Sequence, residues 1–125
     1  MSTYAELAAA LTPVGLPVRL PGDSDTALPC ITLEPVGISI VDGARVGFEE
    51  CNVVVRHPLA EGNAGQFDTA NEAVYAALGV LLGSRFPVDP DIPLTGNADT
   101  TPPSFAYTIT VTFAGRDICP TTPEE

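Results

Sequence analysis

The side chains that could perform nucleophilic catalysis are few in this chain of 125 residues. His57 is its only histidine, and Pro58 follows it directly. Cys51 lies six residues earlier on the same predicted strand, which separates the two side chains by about 20 Å at roughly 3.3 Å per residue. Neither Ser24 nor Ser84 lies in a GxSxG turn. We therefore expect a structural or surface histidine, no catalytic residues and no enzymatic activity.

Motifs that hold metals or cofactors are also missing from the sequence. Paired acids occur at 23–25, 49–50 and 89–91. None of these pairs has the spaced glycine and distal glutamate of a calcium loop, and no GxGxxG or P-loop is present. Cys30, Cys51 and Cys119 show no CxxC spacing, and cysteines in strands such as Cys30 and Cys51 are usually small buried side chains. We expect solvated acids, no metal site and no cofactor.

The charge balance excludes two classes of partner. The chain has 5 Lys and Arg against 16 Asp and Glu, which gives a formal net charge of −11. Five arginines among so many acids cannot supply the clustered cations that grip DNA phosphates. The acidic excess repels anionic lipid, and no apolar run reaches the roughly 18 to 20 residues that span a bilayer. The first residues do not have the pattern of a secretory signal, so we expect a soluble protein made in a reducing cytosol.

Much of the surface must nevertheless be uncharged. Only 17% of the residues are charged, against about 25% in ordinary soluble domains. The stretch SFAYTITVTFAG at 104–115 illustrates this, because its odd positions suit a core and its even positions carry no charge. The even positions include Thr108, Thr110 and Thr112. Such a neutral face either tolerates its exposure or is covered by other subunits.

Periodicity predicts two helices. Residues 3–11 open with a TxxE capping box at Thr3 and Glu6, and Pro13 and Gly15 end the helix. A second helix over 67–82 has another TxxE box at Thr69 and Glu72, with Gly83 as its C-terminal cap. Its predicted apolar stripe contains Phe67, Ala70, Val74, Ala77, Leu78, Leu81 and Leu82. Asn71, Glu72 and, near the border, Tyr75 mark its outer side.

The remaining segments predict strands and loops. A short strand is expected over 18–20, and a longer one over 30–41 that is bent or bulged between Pro35 and Gly37. Another strand covers 48–57. Five prolines leave room for only a short extended piece in 84–103, before the last strand over 104–115.

The strands over 30–41 and 48–57 should form one long hairpin, because Asp42 and Gly43 are a strong hairpin-turn signal. The turn region is too exposed and glycine-rich for a core, so it forms an arm that can reach a neighbour. A surface arginine on an acidic protein is either simply solvated or docks on an acidic patch of an identical copy. The candidate subunit-interface residues are Val41, Asp42, Gly43, Ala44, Arg45, Val46, Arg56, Thr108, Thr110, Thr112 and Arg116.

These elements predict an α+β fold with a mainly antiparallel sheet, a long hairpin and two packed helices. We expect one domain over 1–118, which suits the chain length. The acidic, proline-broken end at 119–125 should be a flexible tail.

The order of elements resembles that of the tail terminator proteins of long-tailed bacteriophages. The resemblance rests on TYAELAAAL, CITLEPVGISIV, VDGARVG with FEECNVVVRH, DTANEAVYAALGVLL and AYTITVTF. These segments lie within residues 3–116, and 84–103 has no assigned counterpart. It implies a virion subunit that forms a six-membered ring on the tail tube, stops tube polymerisation and presents the surface that joins the head.

Under this resemblance the partners are other copies of the chain, the tail tube protein and a head-tail connector. The protein would be assembled in the host cytoplasm and lie at the head-proximal end of the tail. Acids lining the bore would let DNA pass without specific binding. The alternatives are another phage neck or head-completion subunit and, in a different class, a small cytosolic ligand-binding or regulatory module.

Overall fold

The computed structural model describes residues 3–22, 28–40, 45–58, 65–84, 86–97, 104–113 and 115–118. The helices are α1 (Thr3–Ala10) and α2 (Gly65–Gly83), with a 3-10 turn at Thr12–Val14. The strands are β1 (Val18–Arg19), β2 (Cys30–Ile40), β3 (Val46–Pro58), β4 (Leu94–Asn97), β5 (Ser104–Thr112) and β6 (Arg116–Asp117).

All six strands belong to one sheet with the order β1-β2-β3-β5-β4, and β6 pairs with the start of β3. Every pairing is antiparallel except that of β1 with β2, which is parallel. The predicted α+β fold with a mainly antiparallel sheet and two helices is confirmed. The parallel direction of β1 was not predicted.

The long hairpin pairs β2 with β3 from Cys30 opposite Arg56 to Ile40 opposite Gly47. The register shifts between Pro35 and Gly37, as the sequence predicts. Proline has no N–H for the ladder, so one extra residue is accommodated there as a bulge. The Asp42-Gly43 turn lies outside the described residues.

The core lies between the two helices and one face of the sheet. Alternate residues of β2, β3 and β5 point to this face because successive side chains in a strand point to opposite sides. Each fully buried Leu, Ile or Val contributes about 1.5–3 kcal/mol relative to an exposed one. The fully buried members include Leu7, Leu11, Ile31, Val53, Val55, Ala77, Leu81, Ile109 and Val111.

Helix α1 ends before Leu11, and Gly15 closes the following 3-10 turn at φ 87°. Only glycine adopts this left-handed conformation without steric cost. This matches the predicted end of the first helix at Pro13 and Gly15. The side chain of Thr3 lies outside the described part of the chain, so the first capping box stays a prediction.

Helix α2 begins earlier than the capping-box pattern predicts. Thr69 lies one turn inside the helix, where its hydroxyl donates to the Gly65 carbonyl at 3.1 Å. The predicted box of Thr69 with Glu72 is therefore wrong. The helix buries Ala70, Val74, Ala77 and Leu81. Leu82 was assigned to the same apolar stripe, but it is exposed, because it lies about 100° around the helix from the buried Leu81.

The proline-rich segment after α2 follows the outer edge of β5. Val88 forms an isolated bridge with Val111. The Asp89 N–H donates to the Thr110 carbonyl, and the Thr112 N–H donates to the Pro87 carbonyl. Strand β4 then pairs Leu94–Asn97 with β5. The sequence predicted a short extended piece here, and the prolines fit because an edge strand needs few N–H donors.

Strand β5 ends at Thr112, three residues before the predicted end. The Phe113 N–H still bonds to the Glu49 carbonyl, and its ring is buried. Gly115 then lies so close to β3 that a Cβ atom there would be 2.6 Å from Val46 Cγ1. This close approach lets Arg116 and Asp117 pair with Gly47 and Val46 as β6.

Candidate functional site

The outer half of the hairpin, residues 36–40 and 46–50, is here called the arm. All seven residues of β2 from Glu34 to Ile40 are exposed, whereas Ile31 and Leu33 of the same strand are buried. Strand β1 pairs with β2 only at Ile31 and Thr32. Within the described residues, therefore, no strand pairs with the outer edge of β2 along the arm.

An open cleft of about 380 Å³ lies against the arm and is here called the arm groove. It is lined by Glu6, Ile38, Ile40, Gly47, Glu49, Phe86, Phe113, Arg116 and Ile118. Ile38 and Ile40 share one face of β2 and are 69% and 66% exposed. Large apolar side chains at this level of exposure, grouped around a cleft, mark an interaction surface.

The floor of the arm groove is held by aromatic packing. Phe113 is buried, and its ring meets Tyr4 of α1 edge-on at 5.4 Å and Phe86 at 6.2 Å between centroids. Edge-on pairs of this kind are favoured by the ring quadrupoles. Gly47 leaves room beside them, since a Cβ there would lie 3.6 Å from Ile38 and 3.8 Å from Ile118. The floor of the arm groove is therefore formed by side chains that pack against the core.

The rim of the arm groove is polar and carries both signs of charge. Glu6 of α1 and Glu49 of β3 are acidic, and Arg116 of β6 is the cation. Arg45 is exposed at the start of β3, and its carbonyl accepts the Ile118 N–H at 2.7 Å. Neither Arg45 nor Arg116 forms an ion pair within the described part of the chain.

The even-numbered threonines of β5 line the opposite face of the sheet, here called the threonine face. Thr108, Thr110 and Thr112 are half-buried beside β3. The Thr110 hydroxyl donates to Asn52 Oδ1 at 3.0 Å. Val54, opposite Thr108, is buried. The neutral residues are therefore partly covered by their own sheet neighbours.

Arg56 belongs to the threonine face and is held within the chain. Its Nη2 donates to Glu34 Oε1 at 2.9 Å, and its Nε donates to Thr32 Oγ1 at 3.2 Å. The ion pair is roughly one-third to one-half exposed, and such pairs contribute little to stability. Arg56 is thus engaged by its own strand neighbours, and its interface role stays a prediction.

The predicted interface residues fall into two groups in space. Arg45, Val46 and Arg116 lie at the outer end of the hairpin, where Arg116 lines the arm groove and Val46 pairs with Asp117 of β6. Thr108, Thr110, Thr112 and Arg56 lie on the threonine face. The structure does not bring these two groups together. Val41, Asp42, Gly43 and Ala44 lie outside the described residues.

The apolar side chains of the arm groove were not predicted from the sequence. Ile38, Ile40 and Ile118 were not among the interface candidates, although they expose large apolar surface. One available signal was that Ile38 and Ile40 follow the Pro35 interruption. The two predicted helices were not required to cover that outer part of the strand. Alternation alone gives no such distinction, because buried and exposed apolar strand residues have the same period.

His57 is a buried structural residue on the helix side of the sheet. Its ring stacks on Phe105 at 5.9 Å between centroids, and Phe105 stacks on Phe67 of α2 at 4.5 Å. Its Nδ1 has no hydrogen-bond partner among the described residues. Burial lowers the pKa of His57, because the charged ring would lose its hydration.

The two described cysteines, Cys30 and Cys51, are buried, as predicted. Burial raises the pKa of Cys51 to about 11. The thiol is therefore protonated near neutral pH and is a poor nucleophile. Cys119 lies outside the described residues.

Within the described ranges, no three His, Cys, Asp or Glu side chains come together in a way that could hold a metal ion. Neither described helix is both long enough and apolar enough to cross a bilayer. Comparison with protein-family models gave no match, and comparison with curated proteins found no significant sequence similarity.

Proposed function

We propose that this protein is a phage tail terminator, a structural subunit that forms a six-membered ring on the end of the tail tube. The observation that carries the proposal is the arm groove, an apolar surface left open on a small α+β subunit. The order of elements that resembles the terminator family gives the role. The ring stops tube polymerisation and offers its other side to the head.

The charge of the chain supports the same role. Each copy carries a formal charge of −11, so a ring of six copies is strongly acidic. Acids that face the bore repel DNA phosphates, and the passing duplex slides without specific binding. The cost is mutual repulsion between copies, which buried apolar contacts at the subunit interfaces must exceed.

Electron microscopy of the purified protein at high concentration tests the ring directly. We expect class averages with six-fold symmetry and a central channel. Deleting the gene from the phage that encodes it should then give tails of irregular length that do not join heads. Tails of normal length joined to heads would contradict the proposal. Locating the protein on the portal side of disrupted virions would favour a neck subunit instead.

The size of the arm groove favours one further candidate, a small ligand-binding module. Its volume of about 380 Å³ falls within the range of small-molecule sites. Native mass spectrometry separates the two functions. A retained small molecule on a monomer or dimer supports the binding module, and a hexamer without added mass supports the terminator.

A further inference from the structure

A second exposed surface lies on the outer side of α2. Asp68, Glu72, Tyr75, Gly79 and Leu82 are all exposed. They follow one another at intervals of four, three, four and three residues, which aligns them along one side of a helix. These five residues are here called the outer stripe. The opposite side of α2 faces the core.

The outer stripe and the arm groove hold the most exposed apolar side chains of the described residues. Tyr75 and Leu82 are 75% and 63% exposed, comparable with Ile38 and Ile40 in the groove. The other exposed large apolar residues are covered to a greater extent. Exposed apolar surface is therefore concentrated in two unlike patches, one a convex helix and the other a cleft.

Two unlike patches are what a ring contact requires. A closed ring of more than two copies uses heterologous contacts, in which one surface of each copy meets a different surface of the next. A convex helix side and a concave groove have complementary shapes. Gly79 at the middle of the stripe adds no side chain, so a partner can approach the helix closely there.

The cations at the β6 end of the arm are complementary in charge to the stripe, although Glu6 and Glu49 also line the groove. Helix α2 carries Asp68 and Glu72 and has no lysine or arginine. The arm side carries Arg45 and Arg116, which have no ion-pair partner within the described part of the chain. Opposite charges facing each other across an interface favour association and fix its register.

We infer that the arm groove of one copy binds the outer stripe of α2 of a neighbouring copy. This inference rests on the proposed ring. Tyr75 and Leu82 pack on Ile38, Ile40 and Ile118. Asp68 and Glu72 of the stripe lie towards Arg45 and Arg116.

Two acids on the groove rim must be accommodated in this docking. Glu6 and Glu49 would repel the carboxylates of the stripe if they faced them. This repulsion is avoided if Tyr75 faces the two acids, because the Tyr75 hydroxyl can donate a hydrogen bond to either carboxylate. Glu72 and Leu82 are separated by about 15 Å along the helix axis, so the acidic and apolar parts of the outer stripe contact different regions of the neighbouring copy.

Disulfide trapping between two different copies tests the contact. In a Cys119→Ser background, a tagged Ile40→Cys chain is mixed with an untagged Leu82→Cys chain under mild oxidation. We expect a cross-linked pair containing one chain of each kind, at a yield several times that of the control mixture. The control pairs Ile40→Cys with Thr95→Cys, an exposed position in β4.

A charge exchange gives an independent measurement. Glu72→Arg alone and Arg116→Glu alone should each weaken self-association about tenfold by placing like charges together, and the double variant should restore it. Both positions are exposed, and unchanged circular dichroism would verify folding. Equal cross-linking in test and control, or no restoration by the double variant, would overturn the inference. Six-fold rings seen together with either result would leave the proposed function standing, whereas a protein without rings and without cross-links would contradict both.

Discussion

The inner and outer halves of the long hairpin are made of similar residues in opposite surroundings. Ile31 in the inner half of β2 is fully buried beneath the helices, and Ile38 in the outer half is 69% exposed. Both lie on the same face of the sheet. The difference shows that the arm keeps apolar side chains that its own fold does not cover. On our proposal, they serve a contact with another copy.

Matched alanine substitutions in β2 should separate the two halves most strongly. Ile31→Ala leaves a cavity in the core and is expected to lower the free energy of unfolding by about 2–5 kcal/mol. Ile38→Ala removes exposed atoms and should change it by about 0.5 kcal/mol or less in the monomer. Urea unfolding followed by circular dichroism measures both values. Equal losses would mean that the arm is part of the core.

Gly115→Ala should weaken the attachment of β6 to the arm. The new Cβ would lie 2.6 Å from Val46 Cγ1 and 2.9 Å from Phe48 Cε1, and relieving such overlap costs about 1–3 kcal/mol. Gly79→Ala is the control, because nothing lies within 4 Å of a Cβ there. The control should stabilise the monomer by roughly 0.5–1 kcal/mol, since alanine is the better helix former. Unfolding midpoints in urea compare the two, and a neutral Gly115→Ala would show that β6 is not held in this way.

The free energy of unfolding should fall on mild acidification, because His57 is buried in the inner half of the hairpin. Burial places the pKa of His57 below its ordinary value of 6.5, so the unfolded chain takes up the proton first as the pH falls. This contribution is complete above pH 6.5 and is lost as the pH drops towards the folded-state pKa. Urea unfolding between pH 7.5 and 5 follows it. His57→Gln should flatten the profile in this window, and a profile unchanged by the substitution would show that His57 titrates normally.

The smallest effect is expected at the polar edge of the threonine face. Glu34→Gln breaks the ion pair with Arg56, in which both side chains are partly exposed. We expect a loss of about 0.2–1 kcal/mol that shrinks as salt is added. Thermal unfolding at low and high salt measures the loss. A larger loss that persists in salt would indicate that Arg56 is buried on assembly or is more tightly coupled than its exposure suggests.

The parts of the fold that could be predicted are those with strong local signals. The alternation in β5 identified its core face, and Pro35 with Gly37 identified the bulge. Of the short strands, β1 was predicted over 18–20, but β6 was not. Arg116 and Asp117 form β6 only because Gly115 allows a close approach to Val46, and such a contact between distant segments leaves no periodic pattern. The parallel pairing of β1 is likewise set by tertiary packing.

The candidate site was predictable only in part. Arg45, Val46 and Arg116 were identified from the hairpin signal and the charge balance, and they lie at the outer end of the hairpin, where Arg116 lines the arm groove. The isoleucines of the groove were missed because apolar alternation does not reveal what covers a strand face. Leu82 was assigned to the core for a related reason, since an apolar stripe wider than the buried side of a helix includes residues that face outward.

The central claim is that the arm groove is covered by another copy of the chain. Sedimentation velocity of the wild type and Ile40→Asp, with urea unfolding of both, tests this most directly. We predict that the wild type sediments as a six-membered assembly, and that Ile40→Asp sediments as a monomer of nearly unchanged stability. An Ile40→Asp protein that assembles like the wild type would contradict the account, and so would a wild type that stays monomeric at every concentration and on tube ends.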